Sequence, residues 1–174
     1  MSDVRQRYDG LIAAGELQAD ADQARAVDAL AKLEGELERQ PARGGFFSRL
    51  FGSKAEPCRG IYMWGGVGRG KSMLMDLAYE ATDVHPKRRI HFHEFMLDVH
   101  ERLRVERTKE TGDPVPPVAA ALAEEARLLC FDEMVINNTA DAMILSRLFS
   151  HLLAAGVTVI TTSNRPPRDL YKDG

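Results

Sequence analysis

Apolar residues recur at helical spacing along the first forty positions and predict two short helices. Gly15 is a suitable stop for the first helix, and Asp20 is a suitable N-cap for the second. The apolar faces consist of Val4, Tyr8, Leu11 and Ile12 in the first helix, and of Val27, Leu30, Leu33 and Leu37 in the second. We therefore expect residues 1–40 to form an N-terminal helical segment.

The helical pattern breaks at residues 41–58, a basic stretch rich in proline and glycine. Its large apolar side chains are Phe46, Phe47, Leu50 and Phe51. They fit either a membrane or partner contact, or a linker that packs on the protein core. We favour the linker, because the apolar stretch is too short to bind a membrane surface stably by itself.

Strand and helix patterns alternate from residue 59 to residue 174. The predicted strands are Ile61–Trp64, Arg89–His93, Leu128–Phe131 and Val157–Thr162. Three of the predicted helices are Gly70–Ala81, Val118–Ala126 and Thr139–Ala155, the last with Gly156 as its C-terminal cap. A further helix, between the second strand and GDPVPP, is predicted from the apolar stripe Phe95, Met96, Val99 and Leu103. The stretch GDPVPP reads as a loop. Such alternation is typical of an α/β fold with a parallel sheet and flanking helices.

The composition is that of a soluble globular chain, since 44% of the 174 residues are hydrophobic and 28% are charged. The net charge of -3 argues against an overall basic field that would recruit nucleic acid. No apolar run is long enough to cross a bilayer, and the polar N-terminus lacks a signal-peptide core. Cys130 lies in an apolar strand pattern far from Cys58, so we expect no disulfide and a cytoplasmic location.

A glycine-rich turn follows the first strand and matches the phosphate-loop pattern G-x-x-x-x-G-K-[ST] at every fixed position. Its residues are Gly65, Gly66, Val67, Gly68, Arg69, Gly70, Lys71 and Ser72. Glycines allow backbone N–H groups to wrap a phosphate, and the following helix adds its positive N-terminal end. Lys71 can reach the β- and γ-phosphates of ATP, and the Ser72 hydroxyl can ligate Mg²⁺. An ordinary glycine turn, the alternative, requires neither residue, and we expect the Arg69 side chain to point to solvent without a role.

Polar residues also follow the third and fourth predicted strands. Asp132 emerges at the carboxyl end of its strand, where ligands bind in open α/β sheets, and an aspartate there can hold Mg²⁺. The adjacent Glu133 can orient or deprotonate an attacking water. Two solvated acids are the alternative, which the complete phosphate loop disfavours. Asn164 could help to position the water, although a turn before Pro166 explains it nearly as well.

His91 and His93 alternate in the stretch RIHFHEF and would share one face of the predicted second strand. This spacing is compatible with a pair of metal ligands. The sequence offers no evident third ligand, so we favour neutral, hydrogen-bonded histidines.

Four longer stretches go beyond the phosphate loop and together closely resemble the ZapE family. They are GIYMWGGVGRGKSMLMDL, RIHFHEFMLDVHERL, LLCFDEMVI and ADAMILSRLF followed by GVTVITTSNRPPRDLYKDG. ZapE proteins are bacterial cell-division ATPases, similar to the mitochondrial lactation-elevated AFG-type ATPases. The likeness also includes the N-terminal stretch YDGLIAAGEL, and the HFHxFM and TSNxPPxxLY blocks are more specific than the phosphate loop.

The resemblance implies an AAA+ ATPase fold with the sheet order 5-1-4-3-2, and ATP and Mg²⁺ as cofactors. It implies that Lys71 and Ser72 form the Walker A pair. It assigns Asp132 and Glu133 to the Walker B pair and Asn164 to the sensor position. It further implies protein partners from the bacterial division machinery, a homo-oligomer in the full-length protein and peripheral membrane contact, without specific nucleic-acid binding.

The chain departs from the family in two respects. Many members carry an acidic residue near the stretch VINN, where this chain has Asn137 and Asn138. We therefore assign no role to that loop. The family also continues with a fifth strand, a helical lid and an arginine that reaches into a neighbour's site, and Arg165 and Arg168 do not match that arginine. We therefore expect the front part of a longer protein, with little turnover by these 174 residues alone and self-association through Ile61–Trp64.

Three functions are compatible with these patterns. The first is an ATP-hydrolysing AAA+ module that acts on protein partners. The second is a nucleotide-binding interaction module without effective turnover. The third is another phosphate-loop enzyme such as a small-molecule kinase, which we rank last because Glu133 directly after Asp132 favours activation of water over transfer to a substrate hydroxyl.

Overall fold

The computed structural model describes residues 3–40, 58–109 and 112–170. The linker side chains Phe46, Phe47, Leu50 and Phe51 lie outside the described residues. The helices are α1 (Asp3–Ala13), α2 (Ala21–Arg39), α3 (Lys71–Ala81), α4 (Phe92–Arg107), α5 (Val115–Glu125) and α6 (Thr139–Ala154). The strands are β1 (Ile61–Trp64), β2 (Lys87–His91), β3 (Leu128–Asp132) and β4 (Thr158–Ser163), followed by a short 3-10 helix at Pro167–Asp169.

The two N-terminal helices form as predicted, and carboxylates cap their first turns. The Asp20 side chain accepts hydrogen bonds from two backbone N–H groups in the first turn of α2, at 2.8 and 2.9 Å. Glu34 of α2 is buried, and its carboxylate accepts from the backbone N–H groups of Asp3 and Val4 at 3.0 and 3.4 Å. These N–H groups have no partner within α1, so Glu34 both satisfies them and ties α1 to α2.

All four strands are parallel, and their order across the sheet is β1-β4-β3-β2. This confirms, for the strands among the described residues, the order that the family resemblance implied. β4 lies between the strand that precedes the phosphate loop and the strand that ends in the two acids, with Met63 beside Thr162 and Phe131 beside Thr161. The carboxyl ends of β1, β3 and β4 therefore meet at one edge of the sheet, where α/β proteins bind ligands.

Each strand presents alternate residues to the two faces of the sheet, and each face has its own apolar core. Leu128 and Cys130 of β3 pack with Ile160 against α1, α2 and α3. Leu129 and Phe131 pack on the opposite face, against α4, α5 and α6. Burial on both faces explains why β3 is apolar at four successive positions instead of alternating with polar residues.

Two predicted element boundaries are wrong. The second strand covers Lys87–His91 rather than Arg89–His93, because Phe92 belongs to the helical apolar stripe of α4 rather than to the strand. The stretch GDPVPP is a loop only in part, since α5 already begins at Val115. Pro114 is the N-cap of α5, and Pro116 and Pro117 fall in the first helical turn, where a missing N–H removes no helical hydrogen bond.

The corrected boundary separates the two histidines. His91 is the last residue of β2, whereas His93 lies on α4, so they do not share a strand face. The described residues also contain no cluster of three or more His, Cys, Asp or Glu residues that could hold a metal ion. The alternation in RIHFHEF is therefore no basis for a metal pair.

The VINN loop ends in a helix cap. The Asn138 side-chain oxygen accepts a hydrogen bond from the backbone N–H of Asp141 at 2.8 Å. Asparagine is among the preferred residues at this position, so Asn138 contributes to the start of α6.

Both cysteines are buried free thiols. Burial raises the pKa of Cys130 to about 12, so the thiol stays protonated and unreactive. Among the described helices, none is long and apolar enough to span a membrane.

Phe131 lies at the centre of the core between β3 and the helices α4 and α6. Its side chain is 0% exposed, and its ring centroid lies 4.4 Å from that of Phe95, 5.8 Å from Phe149 and 6.0 Å from Phe92. Phe131→Ala is expected to lower the free energy of unfolding by about 3–5 kcal/mol, because the surrounding rings cannot fill the cavity. Chemical denaturation measures the loss, and Leu97→Ala at a 58% exposed position is the control. Equal losses in the two variants would contradict this packing.

Candidate nucleotide site

The phosphate loop connects β1 to α3, and several of its glycines have positive φ angles. Gly68 and Gly70 have φ angles of +77° and +76°, which side chains with a Cβ atom rarely adopt. Gly70 directly precedes α3, whose first N–H groups have no partner within the helix and give its N-terminus a partial positive charge. Backbone donors and a helix N-terminus together are what a phosphate site requires.

Lys71 joins the phosphate loop to the end of β4. Its ammonium group donates hydrogen bonds to the carbonyl oxygens of Gly65 and Gly66, at 2.9 and 2.8 Å, and to Asn164 Oδ1 at 3.1 Å. All three acceptors are neutral. An anionic phosphate oxygen would be a stronger acceptor for the ammonium, because charge-assisted hydrogen bonds exceed neutral ones in strength.

Asp132 points to the same side of the sheet as α3 because it shares the strand face of Leu128 and Cys130. Its Oδ1 atom accepts hydrogen bonds from Ser72 Oγ at 2.9 Å and from Thr162 Oγ1 at 2.8 Å. The structure therefore brings together the serine of the phosphate loop and the first of the two acids, as the sequence predicted.

Glu133 follows the end of β3 in a strained conformation. Its φ angle of +56° makes it the one non-glycine residue with positive φ in the described part of the chain. Its backbone N–H donates to Thr162 Oγ1 at 3.0 Å, and the next N–H, that of Met134, donates to the Thr162 carbonyl at 2.8 Å. The Glu133 side chain is exposed at the site. Strain of this kind costs about 1–3 kcal/mol and is concentrated at functional sites.

Asn164 follows β4 and lies at the site, in contact with Lys71. The chain on either side is held by side-chain bonds: Ser163 Oγ donates to the Met134 carbonyl at 2.8 Å, and the Tyr62 hydroxyl donates to the Arg165 carbonyl, also at 2.8 Å. The placement of Asn164 beside the lysine is consistent with its predicted role in positioning a water.

Most of the predicted site residues line a cavity of about 290 Å³ at the carboxyl edge of the sheet. Its lining consists of Val67 to Met73, Glu133 and Thr162 to Asn164. A second cavity of about 560 Å³ lies between α2 and β1 and adjoins the phosphate loop. Its lining includes Gly65, Gly66 and Lys71. Together these spaces offer room for a nucleotide whose phosphates lie on the loop.

The N-terminal helices contact the phosphate loop, which the sequence analysis did not predict. Gln23 Nε2 donates to the carbonyl of Arg69 at 3.2 Å, and the Tyr8 hydroxyl lies 3.4 Å from Gln23 Oε1. The Arg69 side chain is largely exposed, as expected, and its guanidinium lies 4.0 Å from the Asp20 carboxylate. The helical segment is thus packed against the loop rather than separate from it.

Two further residues at the site were missed by sequence reasoning, Thr162 and Arg89. Arg89 Nη2 donates to Asp132 Oδ2 at 3.1 Å, and Arg89 Nε lies 2.6 Å from Asp76 Oδ1 in an ion pair. Burial raises the pKa of Asp76, with the nearby charge of Arg89 acting in the opposite direction. The role of Arg89 could have been indicated by the alternation in KRRIH. That alternation places Lys87 and Arg89 on the strand face toward α3.

Magnesium fits the oxygen donors at this site. Ser72 Oγ and Asp132 Oδ1 are 2.9 Å apart, so one ion can contact both groups. Mg²⁺ prefers oxygen ligands and is usually held by one or two protein groups together with phosphate oxygens and waters. Ser72 and Asp132 are therefore the residues that would hold it.

The Thr162 hydroxyl connects the two acids, so its removal should affect the site more than the fold. Thr162→Val keeps the volume but leaves Asp132 Oδ1 and the Glu133 N–H each without one partner. We expect ATP turnover to fall at least about tenfold, with about 1–3 kcal/mol lost from the free energy of unfolding. Turnover assays and chemical denaturation measure the two effects.

Thr158→Val is the matched control on the same strand. Its buried hydroxyl makes no hydrogen bond within the described part of the chain, so the variant should be at least as stable as the unmodified protein. Equal turnover in the Thr162 and Thr158 variants would show that Thr162 does not position the acids.

The comparisons with known proteins agree with this geometry. A family model described as AFG1-like ATPase matches residues 2–174. The chain belongs to the AFG1-like ATPase family. It is 48% identical over 131 residues to lactation elevated protein 1 homolog B of Danio rerio. It is 44% identical over 131 residues to the cell division protein ZapE of Escherichia coli K12.

This AFG1-like chain spans a quarter to a third of the curated relatives that it matches. The alignments cover 70% of the chain and 26% of the zebrafish protein, and 75% of the chain and 34% of ZapE. The family and the matched region are therefore established.

Solved structures confirm the predicted fold class of the AFG1-like chain. AMPPCP-bound DnaA from Aquifex aeolicus superposes with a TM-score of 0.58 at 17% identity and covers 90% of this chain and 43% of that one. DnaI superposes with a TM-score of 0.60 at 13% identity and covers 90% of this chain and 73% of that one. The chain thus has the phosphate-loop AAA+ fold.

Proposed function

We propose that the AFG1-like chain binds ATP with Mg²⁺ and contributes the hydrolytic site of an AAA+ ATPase that acts on protein partners. The observation that carries this proposal is the convergence of three separate segments on one site: the phosphate loop with Lys71 and Ser72, the end of β3 with Asp132 and Glu133, and the end of β4 with Asn164. This matches family membership, because AFG1-like proteins are named as ATPases.

The side chains at the site would have separate roles in ATP hydrolysis. Lys71 exchanges its neutral carbonyl and amide acceptors for oxygens of the β- and γ-phosphates and stabilises the charge on them. Glu133, exposed at the site, accepts a proton from the attacking water, and Asn164 orients that water. A bound Mg²⁺ supplies neutralisation of phosphate charge, and Ser72 and Asp132 hold it.

A specific geometry favours hydrolysis over phosphoryl transfer to a substrate hydroxyl. The N–H groups of Glu133 and Met134 both donate to Thr162, which holds the strained turn after β3 and keeps Glu133 at the site. An exposed acid at this place is suited to activate a water. The small-molecule kinase is therefore the weakest of the three functions considered.

The direct test combines binding and turnover. Calorimetry should show Mg²⁺-dependent binding of ATP to the chain, and phosphate release should require Mg²⁺. ATP binding without phosphate release, in the chain and in the full-length protein, would favour a nucleotide-dependent interaction module. No ATP binding would overturn the proposal.

We propose further that the full-length protein acts on division proteins, since the chain is 44% identical to a protein named for cell division over 131 residues. Peripheral membrane contact and a homo-oligomer are parts of the same proposal. Sedimentation of the full-length protein with purified division proteins and vesicles, in AMPPCP or in ADP, tests it. Sedimentation that is identical in both nucleotides would contradict a nucleotide-driven action on those partners.

A further inference from the structure

We propose that Arg89 is a positioning residue that restrains Asp132 and lowers the affinity of the nucleotide site for Mg²⁺, with Asp76 as its counter-charge. This inference rests on the proposed function, because it concerns the divalent cation that accompanies the nucleotide. Arg89 lies on β2, outside the phosphate loop and outside the two segments that end in the acids and the amide.

The hydrogen bonds of Asp132 show how the carboxylate is restrained. Oδ1 accepts from Ser72 and Thr162, at 2.9 and 2.8 Å, whereas Oδ2 accepts from Arg89 at 3.1 Å. Arg89 therefore occupies the oxygen that does not face Ser72. This leaves Oδ1 as the oxygen available for a cation shared with the Ser72 hydroxyl.

The burial of the group makes its charge effective. The side chain of Asp132 is 7% exposed and that of Arg89 is 27% exposed, so solvent screens their interaction only in part. A guanidinium in contact with a cation ligand opposes the binding of a divalent cation to that ligand. Arg89 should thus weaken the electrostatic attraction between Asp132 and Mg²⁺, while it fixes the orientation of the Asp132 carboxylate.

Asp76 offsets part of that positive charge. It lies one helical turn beyond Ser72 on α3, and its carboxylate is 2.6 Å from Arg89 Nε. The Nε atom is buried and makes no regular hydrogen bond among the described residues, so the contact is an ion pair. Arg89 is therefore shared between two carboxylates, and the removal of one must strengthen its effect on the other.

This arrangement predicts opposite effects from two neighbouring substitutions. Arg89→Gln removes the positive charge beside Asp132 and should strengthen Mg²⁺ binding. Asp76→Asn removes the counter-charge and should weaken it. A merely structural role would lower stability in both variants and would not change Mg²⁺ binding in opposite directions.

The experiment measures the dissociation constant of AMPPCP in saturating Mg²⁺ and in EDTA, for the same chain, by calorimetry. Fluorescence of Trp64, the single tryptophan, which directly precedes the loop, gives a second readout. The dissociation constant in EDTA divided by that in saturating Mg²⁺ is the coupling between Mg²⁺ and nucleotide. Compared with the unmodified chain, Arg89→Gln should raise this ratio at least about threefold and Asp76→Asn should lower it at least about threefold.

Two more variants separate charge from shape and from position. Arg89→Lys keeps the charge without the planar fork, so the coupling should stay within about twofold of the unmodified chain, while turnover by the full-length protein falls. Arg88→Gln removes the same charge from the opposite face of β2, where Arg88 pairs with Glu125, and should leave the coupling unchanged. Asp76 is 46% exposed, so Asp76→Asn should fold even if Arg89→Gln does not.

The outcomes are distinct. The proposal is supported if the coupling rises in Arg89→Gln, falls in Asp76→Asn and stays unchanged in Arg88→Gln. If Arg89→Gln fails to fold, the loss of coupling in Asp76→Asn alone supports it. Coupling that is unchanged in Asp76→Asn, or weakened in a folded Arg89→Gln, overturns it. Absence of AMPPCP binding by the unmodified chain, with or without Mg²⁺, would instead overturn the proposed function, and this inference with it.

Discussion

Glu133→Gln is expected to slow ATP turnover by at least about a hundredfold in the full-length protein, while ATP binding changes little. Glutamine keeps the size of the side chain but cannot accept the proton of the attacking water. The Glu133 side chain is exposed beside the loop, and its backbone is held by the Thr162 hydroxyl. The variant should therefore lose the chemical step without losing the site.

Single-turnover phosphate release and calorimetry separate these two effects. Glu124→Gln, a substitution of the same kind on the distant helix α5, is the matched control and should leave turnover unchanged. Normal turnover in the Glu133 variant would assign the proton transfer to another group. Loss of ATP binding would indicate that Glu133 supports the structure of the site instead.

Lys71→Ala is expected to weaken ATP binding at least about tenfold, which corresponds to ~1.4 kcal/mol. The ammonium is the single side-chain cation that contacts both the phosphate loop and Asn164 among the described residues. Backbone N–H groups of the loop remain in the variant, but they carry partial charges and cannot replace a full positive charge at the phosphates.

Calorimetry with ATP in the presence of Mg²⁺ measures this loss. Lys32→Ala, at an exposed position of α2, removes the same charge far from the phosphate loop and controls for the change in net charge. Affinities that are nearly equal in the unmodified chain and in the Lys71 variant would contradict the assignment of the phosphate loop.

Much of the candidate site could be predicted from short stretches of sequence. The phosphate loop is a contiguous motif, and its conformation depends on glycines whose backbone freedom is a property of each residue. Asp132 and Asn164 were predicted because each comes at the end of a predicted strand, and parallel strands end at a common edge. In the structure Ser72 contacts Asp132 and Lys71 contacts Asn164, while the roles of Asp132 and Asn164 in turnover stay predictions.

Element boundaries were less predictable where two periodicities overlap. In RIHFHEF, the alternation of a strand and the 3.6-residue repeat of a helix share Phe92, and the sequence favours the longer strand. The structure ends β2 at His91 because Phe92 packs with the other apolar residues of α4. The apparent histidine pair disappears with that boundary.

The sequence by itself determined the α/β class, the phosphate loop, the two acids and the helix caps, because these depend on neighbouring residues and on local backbone preferences. Only the tertiary structure showed that Thr162, Arg89 and Gln23 contact the site. Each reaches it from a different element, tens of residues away along the chain. Such contacts depend on strand order and on register, since a shift of one residue would turn each strand side chain to the opposite face of the sheet. Strand order and register are set by the packing of all helices and strands together, which no short stretch of sequence contains.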